Sequence, residues 1–452
     1  MCVLESSIAT PTTMFGLPWP LEWTVIALAV YYAAAALVRV WTASAQQKQV
    51  AAFQHKVRME KRNSGDKLKN EMQSLLDAAA TVGGAASARR DQRILALVNP
   101  HGGSKTAPQV YANVFEPMCR TLGVTLELQL TTHAGHAINI ARAAAESGEI
   151  GLIVCFSGDG MVHEVIKGVV EAAGEGGRMT TPLAIMPCGT SNGLAMSLYG
   201  TVDPCECADK ILTQCQARSG SLVSLRSVDA TTDGDVFDPT EHYDVMGVSQ
   251  AVVGDANYIC EDKLRWMNNL PFGGAIKEGI AAVYLILLMR KYHVHIAMRC
   301  LPVSAEEVAS HRYRTPQNVQ GVRPLRGPPH GASSDPNGEW FEVEHGWTWC
   351  ETSNISHIAK DCQTAPGSKP SDPHMDLLVS RGHNRFQLAA SFLRAEHGTH
   401  IHDDWFQILK VAELVFTPRN ASHQYYMSGE LAGTAGQPIV CRCLPDKGLF
   451  WY

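Results

Sequence analysis

The sequence predicts an α/β protein with an N-terminal parallel-sheet nucleotide-binding domain, a C-terminal mostly antiparallel β domain with helices, and a membrane segment before both. Between residues 93 and 200, short apolar runs alternate with helix-like stretches, a pattern typical of parallel sheets. After about residue 221 the apolar runs become shorter and more closely spaced, as in antiparallel sheets. The first 45 residues contain a long apolar run.

Composition describes an ordinary globular protein. The chain has 452 residues, of which 45% are hydrophobic and 18% charged, which suits two or three domains. The net charge of −6 argues against a nucleic-acid partner. None of the 13 cysteines forms a CxxC pair, so we expect reduced thiols in the cytoplasm and no zinc site. No oligomeric state is predicted.

Residues 1–45 are predicted to form a membrane anchor. An uncharged run extends from Trp23 to Val38, and Trp19 and Trp41 lie near its ends, as is common at membrane interfaces. Sixteen residues are slightly short of the ~20 that span a bilayer, which leaves a signal peptide or a buried helix as alternatives. A signal peptide has basic residues before its apolar run, whereas here 11 Lys and Arg against 5 Asp and Glu follow, between Arg39 and Arg93. This charge favours an anionic membrane surface and is expected to place the remainder of the chain in the cytoplasm.

The remaining elements follow from local patterns. Residues 46–92 predict a basic helical stalk that ends in a glycine-containing linker. In the α/β domain, residues 93–220, strands are predicted at 93–98, 125–130, 152–156 and 182–186, and helices at 108–122, 135–146 and 161–173. In the β-rich domain, residues 221–452, strands are predicted at 222–228, 243–253, 294–301, 340–343, 375–380, 408–417 and 424–427, helices at 275–288 and 386–397, and a mobile proline-rich loop without fold elements at 304–338.

Glycine-rich turns follow three of the predicted parallel strands, at residues 99–105, 157–160 and 187–193. Because ligands bind at the carboxyl ends of parallel strands, we expect the three turns to share one rim. Backbone N–H groups of a glycine turn that opens a helix bind phosphate. The Walker A and Rossmann spacings are absent, so the turns indicate a nucleotide without identifying the class of protein.

Asp159 lies between two glycines, after a buried strand. A carboxylate at this place can cap a helix or act as a general base in phosphoryl transfer. Spacing alone leaves both interpretations open.

The motifs at 99–103 (NPHGG), 157–164 (SGDGMVHE) and 189–192 (GTSN) resemble the catalytic domain of the diacylglycerol-kinase-like lipid kinases, and SGDGxxHEV is most similar to sphingosine kinases. The likeness runs from about residue 93 to residue 452, apart from the proline-rich loop. It implies an ATP-dependent kinase that phosphorylates the primary hydroxyl of a long-chain base, with Asp159 as general base and ATP and Mg²⁺ bound.

The resemblance also implies roles for individual residues. Glu430 matches an acidic residue near the metal, but the chain reads Ser428-Gly-Glu430 where the family usually has DGE, so one carboxylate is missing. Thr131 and Thr132 are equally compatible with capping a helix before Ala137. The residues implied to bind nucleotide are Asn99, Pro100, His101, Gly102, Gly103, Thr131, Thr132, Gly135, Ser157, Gly158, Gly160, Glu164, Gly189, Thr190, Ser191, Arg265, Ser428 and Gly429.

Asp255 and Asn257 are expected to bind the substrate, and the residues at these positions should determine which lipid is phosphorylated. Sphingosine kinases usually carry GFxADxD, whose second aspartate meets the substrate ammonium, and this chain has Asn257 there. An amide accepts a hydrogen bond but supplies no counter-charge. Ceramide kinases also lack the second acid, so ceramide or diacylglycerol is the alternative substrate.

Two other classes also fit parts of the pattern. Kinases of soluble substrates, such as NAD kinases and phosphofructokinases, contain GDG turns, but the apolar anchor and the apolar residues 276–289 argue for a membrane lipid. That segment is equally compatible with a core helix. An inert membrane-tethered binding protein is disfavoured because Asp159, Glu164 and the glycines are all present.

Deletion of residues 1–45 should release the protein from membranes without ending activity on detergent-dispersed lipid. The reason is that the apolar run, and not the catalytic domain, is expected to hold the chain in the bilayer. Membrane flotation of the full-length and shortened proteins measures this, and a shortened protein that still floats with membranes contradicts the prediction.

Overall fold

The computed structural model describes residues 93–452 except 103–104, 175–176, 229–240, 265, 268–272, 311–312, 334, 336–337 and 382–383. The predicted anchor and stalk lie outside these residues, as do Gly103 and Arg265. Within the described ranges, no helix combines the length and the apolar character that crossing a bilayer requires.

Four parallel strands form the first part of the fold, in the order β4-β3-β1-β2. All six residues of β3 are buried, as its apolar run predicts. The strands are β1 (Arg93–Val98), β2 (Thr125–Leu130), β3 (Leu152–Ser157) and β4 (Leu183–Pro187). The helices are α1 (Ala107–Val110), α2 (Glu116–Leu122), α3 (His136–Ser147), α4 (Asp159–Ala172), α5 (Gly193–Tyr199) and α6 (Pro204–Asp209), with π-helical turns at Tyr111–Phe115 and Lys210–Gln214.

Helices α3 and α4 pack in close contact, and this contact fixes the direction of the helix that begins at Asp159. A Cβ on Gly168 would lie 2.3 Å from the carbonyl oxygen of Ile138. Glycine is therefore required there, because a side chain would push the two helices apart.

The second part of the fold is antiparallel, as predicted. Its strands are β5 (Ala217–Ser227), β6 (His242–Asp244), β7 (Gly247–Gln250), β8 (Tyr292–Cys300), β9 (Arg323–Pro324), β10 (Glu339–Trp347), β11 (Trp349–Ser353), β12 (Met375–Ser380), β13 (Phe406–Pro418), β14 (Tyr425–Met427), β15 (Glu430–Ala432) and β16 (Ile439–Trp451). Its helices are α7 (Ala251–Tyr258), α8 (Gly273–Leu288), α9 (Ala305–Ala309) and α10 (Arg385–Ala395), with a π-helical turn at Ile259–Lys263 and 3-10 turns at Pro316–Asn318 and Thr399–His402.

The C-terminal strand β16 joins the two parts. It pairs in parallel with β4 at Phe450 and Leu183, and it pairs antiparallel with β5 and with β13. Sixteen strands of the described chain thus belong to one sheet. The mixed α/β class with parallel and antiparallel strands is confirmed, and the predicted domain boundary at residues 220/221 falls inside β5.

Two predicted elements are wrong in detail. The strand predicted over 243–253 ends at Gln250, and α7 begins at Ala251; the β-branched Val252 and Val253 pack in a helix instead. The proline-rich stretch 304–338 contains α9, a 3-10 turn and β9. These elements form because Tyr313 and Val319 are buried among core residues.

All twelve cysteines within the described residues are free thiols.

Candidate active site

The candidate site begins at the turn between β3 and α4. Gly158 is the N-cap of α4, with an extended backbone, and Asp159 is the first helical residue. The Asp159 carboxylate is only 6% exposed. Its Oδ2 accepts from the Gly193 N–H at 2.9 Å and its Oδ1 from the Leu194 N–H at 3.2 Å. Asp159 therefore connects the N-terminus of its own helix to the N-terminus of α5.

Burial raises the pKa of Asp159 to about 6, because desolvation disfavours the charged form. Hydrogen bonds from Gly193 and Leu194 lower it in part, and the negative charge of Asp244 raises it further. The carboxylate is consequently ionised at neutral pH but a stronger base than an exposed aspartate. Such a group suits proton abstraction.

The second and third glycine turns touch each other. A Cβ on Gly189 would lie 2.4 Å from the Cα of Gly158, and a Cβ on Gly158 would lie 3.1 Å from the Cα of Gly189. These glycines are thus required by the contact between the turns, in addition to any need to admit phosphate.

Asn192 closes the third turn. Its Oδ1 accepts from the Gly189 N–H at 2.8 Å and its Nδ2 donates to the Gly189 carbonyl at 3.0 Å. Asn192 is buried and has a φ of +52°, a conformation that asparagine adopts more readily than most residues. Thr190 and Ser191 lie at the tip of the turn, half-buried and exposed respectively.

The first turn, at Asn99, is held to the neighbouring strand. The Asn99 N–H donates to the Phe156 carbonyl at 3.2 Å, and the Asn99 Oδ1 accepts from the His101 N–H at 2.9 Å. Pro100 and Gly102 are half-buried, and His101 is exposed. A Cβ on Gly102 would approach the Asn99 Nδ2 to 3.2 Å, so this turn is also tightly closed.

A fourth turn follows β2. Gly135, with a φ of +79°, is the N-cap of α3, and no side chain caps that helix. Capping by Thr131 and Thr132 is therefore not observed: Thr131 is buried, and the Thr132 hydroxyl contacts neighbouring histidine rings. Glu164 on α4 accepts from the Gly135 N–H at 2.9 Å, which ties this turn to the helix of Asp159.

Ser157 is buried, and its hydroxyl donates to the Gly158 carbonyl at 2.8 Å. All four turns follow parallel strands and therefore lie on one rim of the sheet, as the sequence predicts.

The β14–β15 hairpin comes from the far end of the chain and reaches this rim. Its tip is formed by Ser428 and Gly429, with φ values of +47° and +81°. A Cβ on Gly160 would lie 3.0 Å from Oε1 of Glu430, so the predicted metal-facing acid stands beside the GDG turn.

Asp244 is the site residue that sequence reasoning missed. It lies at the end of β6 and is fully buried. Its Oδ2 accepts from the Ser428 hydroxyl at 2.6 Å. The only sequence signal is an acid within the apolar stretch at residues 243–248. This stretch belongs to none of the glycine-rich motifs.

The oxygen donors around Glu430 fit Mg²⁺ in kind. Among the described residues, no group of three or more His, Cys, Asp and Glu side chains is placed to hold a metal. Magnesium commonly takes one or two carboxylates and completes its shell with water and substrate phosphates. The exposed Glu430 carboxylate, beside the GDG turn, fits that requirement in kind.

The two predicted substrate residues lie on α7. Asp255 is already engaged: the Tyr292 hydroxyl donates to its Oδ2, and Arg290 pairs with the same oxygen at 3.4 Å. Asn257 is half-buried. Burial, followed by the charges of Asp262 and Asp255, raises the pKa of Tyr426. Helix α7, which carries Asp255 and Asn257, therefore lies close to the hairpin that carries Ser428 and Glu430.

Helix α8 has an apolar exposed side. Leu285 and Ile286 are buried in a core cluster, while four apolar or aromatic side chains four residues apart remain 40–48% exposed: Ile276, Ile280, Tyr284 and Leu288. Phe386 on α10 is 69% exposed. Exposed apolar surface of this kind commonly marks a lipid or partner site.

Comparison with known proteins agrees with this geometry. Residues 93–224 match the family described as diacylglycerol kinase catalytic domain. A putative diacylglycerol kinase from Bacillus anthracis has the same fold, with a TM-score of 0.53 at 16% identity, over 80% of this chain and 97% of that chain. The resemblance to the diacylglycerol-kinase-like lipid kinases that was drawn from the glycine-rich motifs is therefore confirmed over residues 93–224.

Within that class the chain is similar to sphingosine kinases. Sphingosine kinases 2 and 1 of Arabidopsis thaliana are 27% and 28% identical to it over 73% of this chain. Human sphingosine kinase 1 is 26% identical over 76% of this chain and 86% of the relative. The chain spans 65% of the length of each plant relative.

Asn192→Ala should destabilise the protein by about 2–4 kcal/mol, because two hydrogen bonds are lost and alanine is strained at positive φ. Asn192→Gly, the matched control, should cost about 1 kcal/mol less, since glycine adopts that backbone freely. Urea unfolding measures both. Equal stability of Asn192→Ala and the wild type would show that the side chain does not hold the turn.

Proposed function

We propose that this protein is an ATP-dependent lipid kinase that phosphorylates the primary hydroxyl of a long-chain base, converting sphingosine to sphingosine 1-phosphate. The observation that carries the proposal is the position of Asp159. It is a buried and basic carboxylate, at the meeting point of two helix N-termini and two glycine turns. The similarity to sphingosine kinases over most of the chain supports the substrate.

In the proposed reaction, Asp159 accepts the proton of the lipid hydroxyl as the hydroxyl oxygen attacks the γ-phosphorus of ATP. The bond between that phosphorus and the ADP oxygen breaks, and ADP leaves. Phosphoryl transfer depends mainly on positioning and charge neutralisation. We propose that the turn at Gly135, the GDG turn and the turn closed by Asn192 contact the phosphates through other backbone N–H groups, because those of Gly135, Gly189, Gly193 and Leu194 already donate to side chains within the protein. Mg²⁺, held by Glu430, would neutralise charge on the phosphates.

Exposed apolar side chains support a membrane lipid as the substrate. The exposed side of α8 and Phe386 on α10 present apolar groups to solvent, and their neighbours on α7 carry Asp255 and Asn257. A substrate with a long apolar chain and a polar headgroup matches this arrangement. We further propose that residues 1–45 anchor the chain to a membrane and leave the catalytic domain in the cytoplasm.

A neutral lipid such as ceramide is the second candidate, and one observation favours it. Asp255 is paired with Arg290 and accepts a hydrogen bond from the Tyr292 hydroxyl, and Asn257 carries no charge. The pair therefore offers little counter-charge to an ammonium group.

Asp159→Asn should lower lipid phosphorylation at least about 100-fold, because an amide cannot accept the proton. Binding of ATP should fall much less than turnover, because the asparagine oxygen still accepts from one of the two N–H groups of α5 that hold the turns together. Asp446→Asn, at the exposed bulge of β16, is the matched control and should keep full activity. Labelled ATP with sphingosine measures turnover, and fluorescent-nucleotide binding measures affinity. Retained turnover in Asp159→Asn contradicts the role of Asp159 as base.

The kcat/KM of the wild type should also fall as the pH is lowered. A raised carboxyl pKa means that Asp159 keeps its proton up to about pH 6, so the base form predominates only above that pH. We expect kcat/KM to fall about tenfold per pH unit below about pH 6. A rate that stays constant down to pH 5 would be inconsistent with this assignment.

Asn257→Asp should raise the ratio of sphingosine to ceramide turnover, because a new carboxylate favours the cationic headgroup. Asn420→Asp, at an exposed loop position, adds the same charge elsewhere and should leave the ratio unchanged. Parallel assays with both lipids test this, and an unchanged ratio in Asn257→Asp removes the residue from substrate selection.

A further inference from the structure

Asp244 is a buried acid with an unusual set of partners. It is 0% exposed, and its Oδ1 accepts from the N–H groups of Val245 and Met246 at 2.6 and 3.2 Å. Its Oδ2 accepts from the hydroxyl of Ser428 at 2.6 Å. No hydrogen bond or ion pair to Lys or Arg is among its described contacts. A buried carboxylate held only by neutral donors is costly in free energy, so a purely structural role would be filled more readily by an uncharged residue.

The partner of Asp244 is the residue at which this chain departs from its family. Ser428 stands where the DGE turn has an acid, and Gly429 and Glu430 follow it. The hydroxyl of Ser428 points to Asp244, and the same hairpin brings Glu430 beside Gly160. The turn itself lacks a carboxylate at residue 428, but the carboxylate of Asp244 on β6 accepts a hydrogen bond from Ser428.

Other groups around Asp244 belong to the active-site helix. His163, one turn after Asp159 on α4, interacts electrostatically with Asp244, and its ring stacks on His242 with 5.7 Å between centroids. Its Nδ1 is buried and lacks a hydrogen-bond partner among the described residues. Asp159 itself interacts with the charge of Asp244. Asp244 thus lies between the hairpin and the GDG helix and can affect both.

We propose that Asp244 and Ser428 together replace the acidic residue that the family has at the first position of this turn. Asp244 is a positioning residue that orients the SGE turn through Ser428. It also supplies the negative charge that this turn lacks next to the metal–nucleotide complex. This inference rests on the proposed kinase function. Glu430 remains the residue that faces the metal, and Asp244 acts through Ser428 on its position. The carboxylate can accordingly be carried by the residue at position 244 or by the residue at position 428.

Exchanging the pair tests the inference. The variants are Asp244→Ser, Ser428→Asp and the double variant Asp244→Ser/Ser428→Asp, each in the full chain. Electron paramagnetic resonance measures Mn²⁺ binding in the presence of a non-hydrolysable ATP analogue, and thermal unfolding checks folding. We expect Asp244→Ser to weaken Mn²⁺ binding at least tenfold and the double variant to restore it to within about threefold of wild type.

A matched control is available at another serine–aspartate pair. The Ser219 hydroxyl donates to Oδ1 of Asp446 at 2.9 Å on the exposed surface. The exchange Ser219→Asp/Asp446→Ser, and Asp446→Ser alone, should leave Mn²⁺ binding unchanged. If Asp244→Ser does not fold, Asp244→Asn replaces it, because the amide keeps the shape while removing the charge.

Two results would overturn the proposal: Mn²⁺ binding in the folded Asp244 variant equal to that of wild type, or a double variant that binds Mn²⁺ no better than Asp244→Ser. Turnover of sphingosine by the wild type is measured separately. An inactive wild type whose Mn²⁺ binding still follows the exchange would contradict the kinase proposal and support the pairing of Asp244 with Ser428.

Discussion

The active-site rim depends on the bridge from the Asp159 carboxylate to the backbone N–H groups of Gly193 and Leu194. This bridge holds the N-termini of α4 and α5 together, and it allows the turns at Gly158 and Gly189 to touch. Burial of the carboxylate at this contact raises its pKa to about 6, although the two hydrogen bonds themselves favour the charged form and lower it in part. One interaction thus organises the turns and places a buried carboxylate of raised pKa at the point where they meet.

The strand pairing of the whole chain supports this arrangement. Because β16 lies between β4 and β13, the antiparallel part is built directly onto the parallel sheet. The β14–β15 hairpin pairs with β7 and extends to Gly160, bringing residues about 270 positions away in sequence to the GDG turn. Asp244, on β6 next to β5, arrives beside the same hairpin. The site is therefore completed by long-range pairing, in addition to the turns that follow the first four strands.

Local sequence patterns predicted the parallel strands and their glycine turns well, since each element is encoded by a continuous apolar run ended by glycine. They were less successful where the tertiary context outweighs local preference. Val252 and Val253 favour a strand but lie in a helix, with their side chains in a core cluster. Strand β16 was not predicted at all, because Asp446, Lys447 and Gly448 interrupt its apolar pattern at a bulge.

The sequence by itself determined the class of fold, the glycine-rich turns that share one rim and the aspartate proposed as base, because these depend on residues that are neighbours along the chain. Only the tertiary structure decided which partners the polar residues of the site have. Asp255 proved to be paired with Arg290 and Tyr292, and Ser428 with the buried Asp244. Such partners lie 35 to 184 positions apart, and hydrogen bonds and burial over those separations leave no periodic signal in the sequence.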